Sequence, residues 1–180
     1  MNIKSKLYKI TVIVLIVLIV SLCFLPLFTK NKSKSVPKNI SNSFTKAFNA
    51  QATIKMKDLV LQADVNKTSA NELTMVIKSP ATLKDMKFAY DGNNILVTFK
   101  GLSVNLDENS KLVQNALNII VKTINSASSS SGINVGMEEG VLTVSGDSEV
   151  GKFKTVLDKK NGSIVSINVP SLDFECNFDV

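Results

Sequence analysis

The sequence predicts a mostly β (α+β) fold, a strongly curved antiparallel half-barrel of about ten strands wrapped around one long amphipathic helix, preceded by one transmembrane helix. Three observations carry this. Residues 50–106 and 133–180 alternate apolar and polar side chains with a period of two, as half-buried strands do. One stretch, Asn109–Ser126 (NSKLVQNALNIIVKTINS), switches to three- and four-residue steps. Ile10–Phe28 (ITVIVLIVLIVSLCFLPLF) carries no charge at all.

From the N-terminus, residues 1–9 form a basic tail with Lys4, Lys6 and Lys9. At 1.5 Å per residue the apolar segment 10–28 extends about 28 Å as a helix, close to a hydrocarbon core. A cleaved signal would have a shorter apolar region and a small-x-small site. A lipidated Cys23 would need a small residue before it, and Leu22 stands there. The uncleaved anchor fits best. Lysines flank the segment on both sides, so the positive-inside count does not orient it. The short basic tail leans inward, which places the following domain outside. Residues 29–38 (TKNKSKSVPK) are polar, contain Pro37 and show no periodicity, as a spacer does. The folded domain then occupies 39–180.

Charge divides along the same boundary. Residues 1–38 hold seven of the 21 basic side chains and no acid, which leaves 14 lysines against all 15 acids in 39–180. The net charge of +6 therefore belongs to the flanks of the apolar segment, where it can meet anionic head groups. The domain shows no basic stripe with interleaved aromatics, so nucleic acid is not an expected partner.

Within the domain, Asn39–Lys46 offers a short helix with Ser41 or Ser43 as cap. Ala50, Ala52, Ile54 and Met56, then Leu59, Leu61, Ala63 and Val65, then Leu73, Met75 and Ile77 mark the apolar faces of three strands. Asp58 and residues 66–71 supply turns between them. Ser79-Pro80 interrupts the ladder, since proline has no N–H to donate. Met86–Tyr90 and Ile95–Lys100 form a hairpin around Asp91-Gly92-Asn93-Asn94. Gly101 leads to Leu102, Val104 and Leu106, and Asp107-Glu108 stand where acids complement a helix N-terminus. After the helix comes the loop 126–132 (SASSSSG), then strands at 133–137, 140–146, 149–158 and 163–169. Asn161-Gly162 is the strongest hairpin signal. The final strand alternates through Leu172, Phe174, Cys176, Phe178 and Val180.

Chemistry is conspicuous by its absence. The chain has no His, no Arg and no Trp. A Ser-His-Asp triad cannot be built, zinc ligation loses its commonest nitrogen donor, and the two cysteines exclude a disulfide framework. The acid pairs Asp107-Glu108 and Glu138-Glu139, and Asp147 with Glu149, lack the spacing of a calcium loop and read as solvated turns. There is no phosphate loop and no dinucleotide fingerprint. No enzyme, metal or cofactor is expected.

The helix stripe is too broad for a single flat sheet, so the sheet should curve about it. A concave apolar surface is either filled as core or open to a guest, and alternation alone leaves both readings standing. The faces that would line such a cavity are Leu73, Met75 and Ile77; Phe88 and Tyr90; Ile95, Val97 and Phe99; and Leu112, Ala116, Leu117 and Ile120 of the helix.

The string SPATLKDMKFAYDGNNILVTFKGLSVNL and the helix after it resemble clostridial and other Firmicutes proteins similar to the outer-membrane lipoprotein carrier, the LolA-like family. The residues that carry the resemblance are Ala52, Ile54, Leu59, Ser79, Pro80, Leu83, Phe88, Tyr90, Gly92, Lys100, Gly101, Leu102 and Leu106, over roughly residues 44–180. It implies a half-open barrel closed by helices, with an apolar cavity for lipid or lipoprotein acyl chains. On that resemblance the expected protein is a single-pass, membrane-anchored, extracytoplasmic domain that binds such a chain. The alternative is an envelope adaptor or sensor that binds another protein and no lipid. The Gram-negative carrier holds its lid with a buried arginine, and this chain has none.

Overall fold

The computed structural model describes residues 38–107, 116–129, 132–138 and 141–179, which belong to one compact unit, Ser33–Val180. The apolar segment 10–28 and most of the spacer lie outside the described residues. Among the described residues no helix is long and apolar enough to cross a membrane.

A short helix, α1 (Lys38–Thr45), leads into β1 (Phe48–Met56), β2 (Leu59–Ser69) and β3 (Glu72–Ser79). A 3-10 turn at Ala81–Leu83 precedes β4 (Lys87–Tyr90), β5 (Asn94–Phe99) and β6 (Leu102–Asp107). The second helix, α2, spans Ala116–Ser128. Then come β7 (Ile133–Glu138), β8 (Val141–Ser148), β9 (Gly151–Leu157), β10 (Ile164–Val169), a 3-10 turn at Pro170–Leu172 and β11 (Phe174–Asp179). All eleven strands form one antiparallel sheet in the order β6-β5-β4-β3-β2-β1-β11-β10-β9-β8-β7. The sheet does not close: β6 and β7 are its two edges.

The sheet curls, and the contacts of α2 show it. That helix packs against both β3 and β8, which stand six places apart in the sheet. At about 4.8 Å per strand they would lie roughly 29 Å apart in a flat sheet, against a helix diameter of about 10–12 Å. Buried residues Ala116, Leu117, Ile119, Ile120, Val121, Thr123, Ile124 and Ala127 cover about 200° of its circumference at 100° per residue. A helix buried through that arc needs walls on more than one side, and the curled sheet supplies them.

Several expectations need correction. Eleven strands are described where about ten were expected. The second helix is described from Ala116 and runs two residues beyond 126; its expected start at 109 lies outside the described residues, which omit 108–115. The turn expected from residue 66 is strand as far as Ser69, because the inner-facing row Leu61, Ala63, Val65 continues to Lys67. The last strand starts at Phe174, since Pro170 lacks an N–H for the ladder and opens a 3-10 turn instead.

Lys67 is buried in the core, 2% exposed on an inner row with Phe48 and Leu73 beside it. Its Nζ donates to the carbonyl oxygens of Thr45 (3.1 Å) and Lys46 (3.3 Å), at the C-terminus of α1. The last carbonyls of a helix lack intrahelical partners and carry partial negative charge, so a buried ammonium there is satisfied and caps the helix. Burial lowers its pKa below the ordinary lysine value. The same helix inserts Phe44 into the core, and Ser41 Oγ donates to the carbonyl of Ser128 (2.7 Å), joining α1 to the end of α2.

Candidate functional site

Cross-strand register places the proposed lining residues in three rows across the concave face. The first runs Leu73, Tyr90, Ile95, Leu106. The second runs Met75, Phe88, Val97, Val104. The third pairs Phe99 with Leu102. In the first row Leu73, Tyr90 and Ile95 are buried and only Leu106, on β6, is partly exposed. In the second, Met75 is fully buried, Phe88 and Val97 are half-buried, and Val104 is 55% exposed. Leu102, at the end of the third, is 75% exposed.

The twelve candidates therefore divide. Leu73, Met75, Ile77, Tyr90, Ile95, Ala116, Leu117 and Ile120 are closed into the core; Leu117 and Ile120 have no accessible surface, so no water-sized void adjoins them. Phe88, Val97 and Phe99 remain partly open on β4 and β5. Leu112 lies outside the described residues. Three inner-face residues of β6 that were not among the candidates, Leu102, Val104 and Leu106, complete the open patch. The signal for them was present: Lys100-Gly101 is a two-residue turn, and it fixes Leu102 opposite Phe99.

The resulting trough is apolar throughout. Phe88, Val97, Phe99, Leu102, Val104 and Leu106 line it, and β5 and β6, six residues each, make it about 20 Å long. At its rim Lys100 places its Nζ 5.0 Å from the centre of the Phe99 ring. At the deep end Tyr90 is buried and its hydroxyl donates to the carbonyl of Gly92 (2.8 Å). Burial raises its pKa first, with the nearby Asp91 and Glu149 carboxylates adding to the effect. Glu149 also pairs with Lys122 of α2 (2.9 Å), so the β8–β9 turn, the helix and β4 meet there.

Another depression differs in character. Of about 160 Å³, it lies among Gln51, Thr53, Gln62, Asp64, Lys78 and Asp179, and is polar, with Lys78 paired to Asp64 at 2.8 Å. Among the described residues no group of three or more His, Cys, Asp or Glu could hold a metal ion.

No family model and no curated protein matches the chain. Solved structures do. A LolA superfamily protein from Nitrosomonas europaea is similar at 10% identity and a TM-score of 0.38, covering 76% of this chain and 71% of that one. A putative outer membrane lipoprotein-sorting protein domain from Vibrio parahaemolyticus is similar at 8% identity and 0.44, covering 79% and 87%. A structure of the CwlD amidase with the GerS lipoprotein from Clostridioides difficile is similar at 18% identity and 0.41, covering 73% and 79%. Identities this low bear on chain path alone, and the functional reading rests on the side chains of the trough.

Proposed function

We propose that this protein holds an apolar guest, a lipid or a lipoprotein acyl chain, in the trough on the concave face of β4, β5 and β6. The observation that carries the reading is the exposure of Leu102 (75%) and Val104 (55%) on the same face that forms the core a few strands away. Exposed leucine singly is ordinary, whereas a contiguous apolar strip on a concave wall is a binding surface. The guest would lie against this wing rather than between α2 and the sheet, where Leu117 and Ile120 are packed. Segment 10–28 would tether the domain to its bilayer, with the domain on the extracytoplasmic side, so the guest is presented near that membrane rather than carried across a compartment. Catalysis forms no part of the proposal: the chain has no histidine and no arginine, and among the described residues the trough is lined by apolar groups with Lys100 at its rim.

Native mass spectrometry of the 33–180 unit, purified without detergent and exposed to fatty acids of graded length, tests the reading. Bound acyl chain is expected, with affinity rising by up to about 0.8 kcal/mol per added methylene. Val104→Asp should abolish uptake while leaving the fold intact. A protein that never takes up an acyl chain would sink the proposal and favour an adaptor that binds another protein on the same wing.

A further inference from the structure

The backbone of β6 supplies a feature separate from its apolar face. In the Lys100-Gly101 turn both residues have positive φ (49° and 80°), and Phe99 and Leu102 close it as a two-residue hairpin. The flanking pair of such a hairpin is hydrogen-bonded, so Leu102, Val104 and Leu106 direct their N–H and C=O groups to β5. Ser103, Asn105 and Asp107 direct theirs outward from the sheet edge. Among the described residues nothing pairs with them.

Natural edge strands are usually shielded by lysine, proline, a bulge or short length. β6 has none of the first three: LSVNLD contains no lysine or proline, and its register with β5 is unbroken. The other edge, β7, ends in Glu138, which pairs with Lys154 of β9. The charges around β6 are also polarised, with Lys100 just before its start and Asp107 at its end. An antiparallel copy centred on Asn105 sets the two Lys100 residues at opposite ends of the paired strands, whereas a parallel copy sets like charges together.

We propose that β6 pairs antiparallel with β6 of a second copy of this chain, with Asn105 opposite its own symmetry mate. That register satisfies the outward groups of both strands, Ser103 facing Asp107 of the other copy and Asn105 facing itself. The polar row Ser103, Asn105 meets its like on the convex side, and Val104 meets Leu106 on the concave side. The two troughs join into one wall across the two-fold axis. The contact is a pair of six-residue strands, smaller than the about 1,200–2,000 Å² of a stable interface, so it forms where copies are concentrated. The pairing uses the strand edge and not the acyl-chain reading, and stands or falls separately from it.

Disulfide trapping in the full chain, in membranes of expressing cells, tests the pairing. Cys23→Ser removes one native thiol, and the other, Cys176, is buried. Asn105→Cys places two thiols on Cα atoms about 5.5 Å apart, within reach of a disulfide. Mild oxidation should yield a covalent dimer at least tenfold above that of Asn134→Cys on the β7 edge. Adding Ser103→Pro removes an outward N–H at a position where an edge strand tolerates proline, and should abolish the dimer without loss of strand content by circular dichroism. The pairing is overturned if Asn105→Cys gives no more dimer than the β7 control, or if Ser103→Pro leaves the yield unchanged. Acyl-chain uptake by the same variants is expected to persist, since Ser103 and Asn105 lie on the convex row.

Discussion

Ile120→Ala separates packed core from ligand wall. Ile120 has no exposed surface and sits in the middle of the buried arc of α2. The substitution removes three carbon atoms, and at about 0.8 kcal/mol per buried methylene the transfer loss alone is about 2.4 kcal/mol. Because Leu117, Ile124 and the β3 and β8 walls pack around the helix, the site can collapse only in part, and the cavity adds to the loss. The expected destabilisation is about 3–4 kcal/mol, within the usual range for such truncations. Urea unfolding of the 33–180 unit reads it directly: with a slope of about 1–3 kcal/mol/M, the midpoint should fall by more than about 1 M. Val104→Ala is the matched control, because a half-exposed edge residue should cost less than about 1 kcal/mol. A loss below about 1 kcal/mol at Ile120, accompanied by loss of acyl-chain binding, would refute the division of the concave face into core and trough.

Four further outcomes follow from individual contacts. Lys67→Met leaves the Thr45 and Lys46 carbonyls without their donor and should destabilise by about 1–2 kcal/mol, read as a lower urea midpoint. Because burial lowers the Lys67 pKa in the folded state, the unfolded chain binds that proton more tightly; its contribution to stability therefore rises as pH climbs toward 10.5, and the wild type should gain on Lys67→Met over that interval. Cys176, the single thiol of the 33–180 unit, is buried and its pKa is pushed up, so iodoacetamide should label it only in urea; labelling at the rate of a free thiol in native buffer would contradict its place in the core. Gly146→Ala would bring its Cβ within 2.9 Å of Ile133 Cγ2 and 3.0 Å of the Gly132 carbonyl oxygen, and should cost about 1–3 kcal/mol by thermal unfolding.

Alternation in the sequence was sufficient to identify the strands on which both faces are clearly different. β1, β2 and β3 are read almost residue for residue from Ala50 to Ile77, because their inner sides are buried except around the Met56–Leu59 turn and their outer sides are wet. Alternation could not say which apolar residues were enclosed. Met75 and Val104 occupy the same row and look alike in sequence, yet one is buried and the other mostly exposed, because enclosure depends on how far the sheet curls past the helix. Lys67 was hidden for a different reason. A lysine after Val65 reads as the start of a turn, and only the placement of α1 over that strand end turns it into a buried cap. Long side chains that bury their stems and satisfy their heads elsewhere defeat a binary pattern.

The open wing follows from the proportions of the molecule. Eleven strands at about 4.8 Å spacing make a sheet roughly 48 Å across its contour, and α2 supplies a single rod about 10–12 Å thick. Curling lets that rod touch β3 and β8 together, and α1 packs on it and adds Phe44 to the core. Among the described residues neither helix makes its main strand contacts beyond β3, yet β4, β5 and β6 keep the apolar inner rows of a core. Water could have been accommodated there by replacing Leu102 and Val104 with threonine or lysine, as on the convex side, where Ser103 and Asn105 stand. Keeping leucine and valine at an exposed concave edge costs solubility and does nothing for this fold's own packing. That asymmetry between the two faces of one edge strand is what an apolar guest, and a second copy of the strand beside it, would each explain.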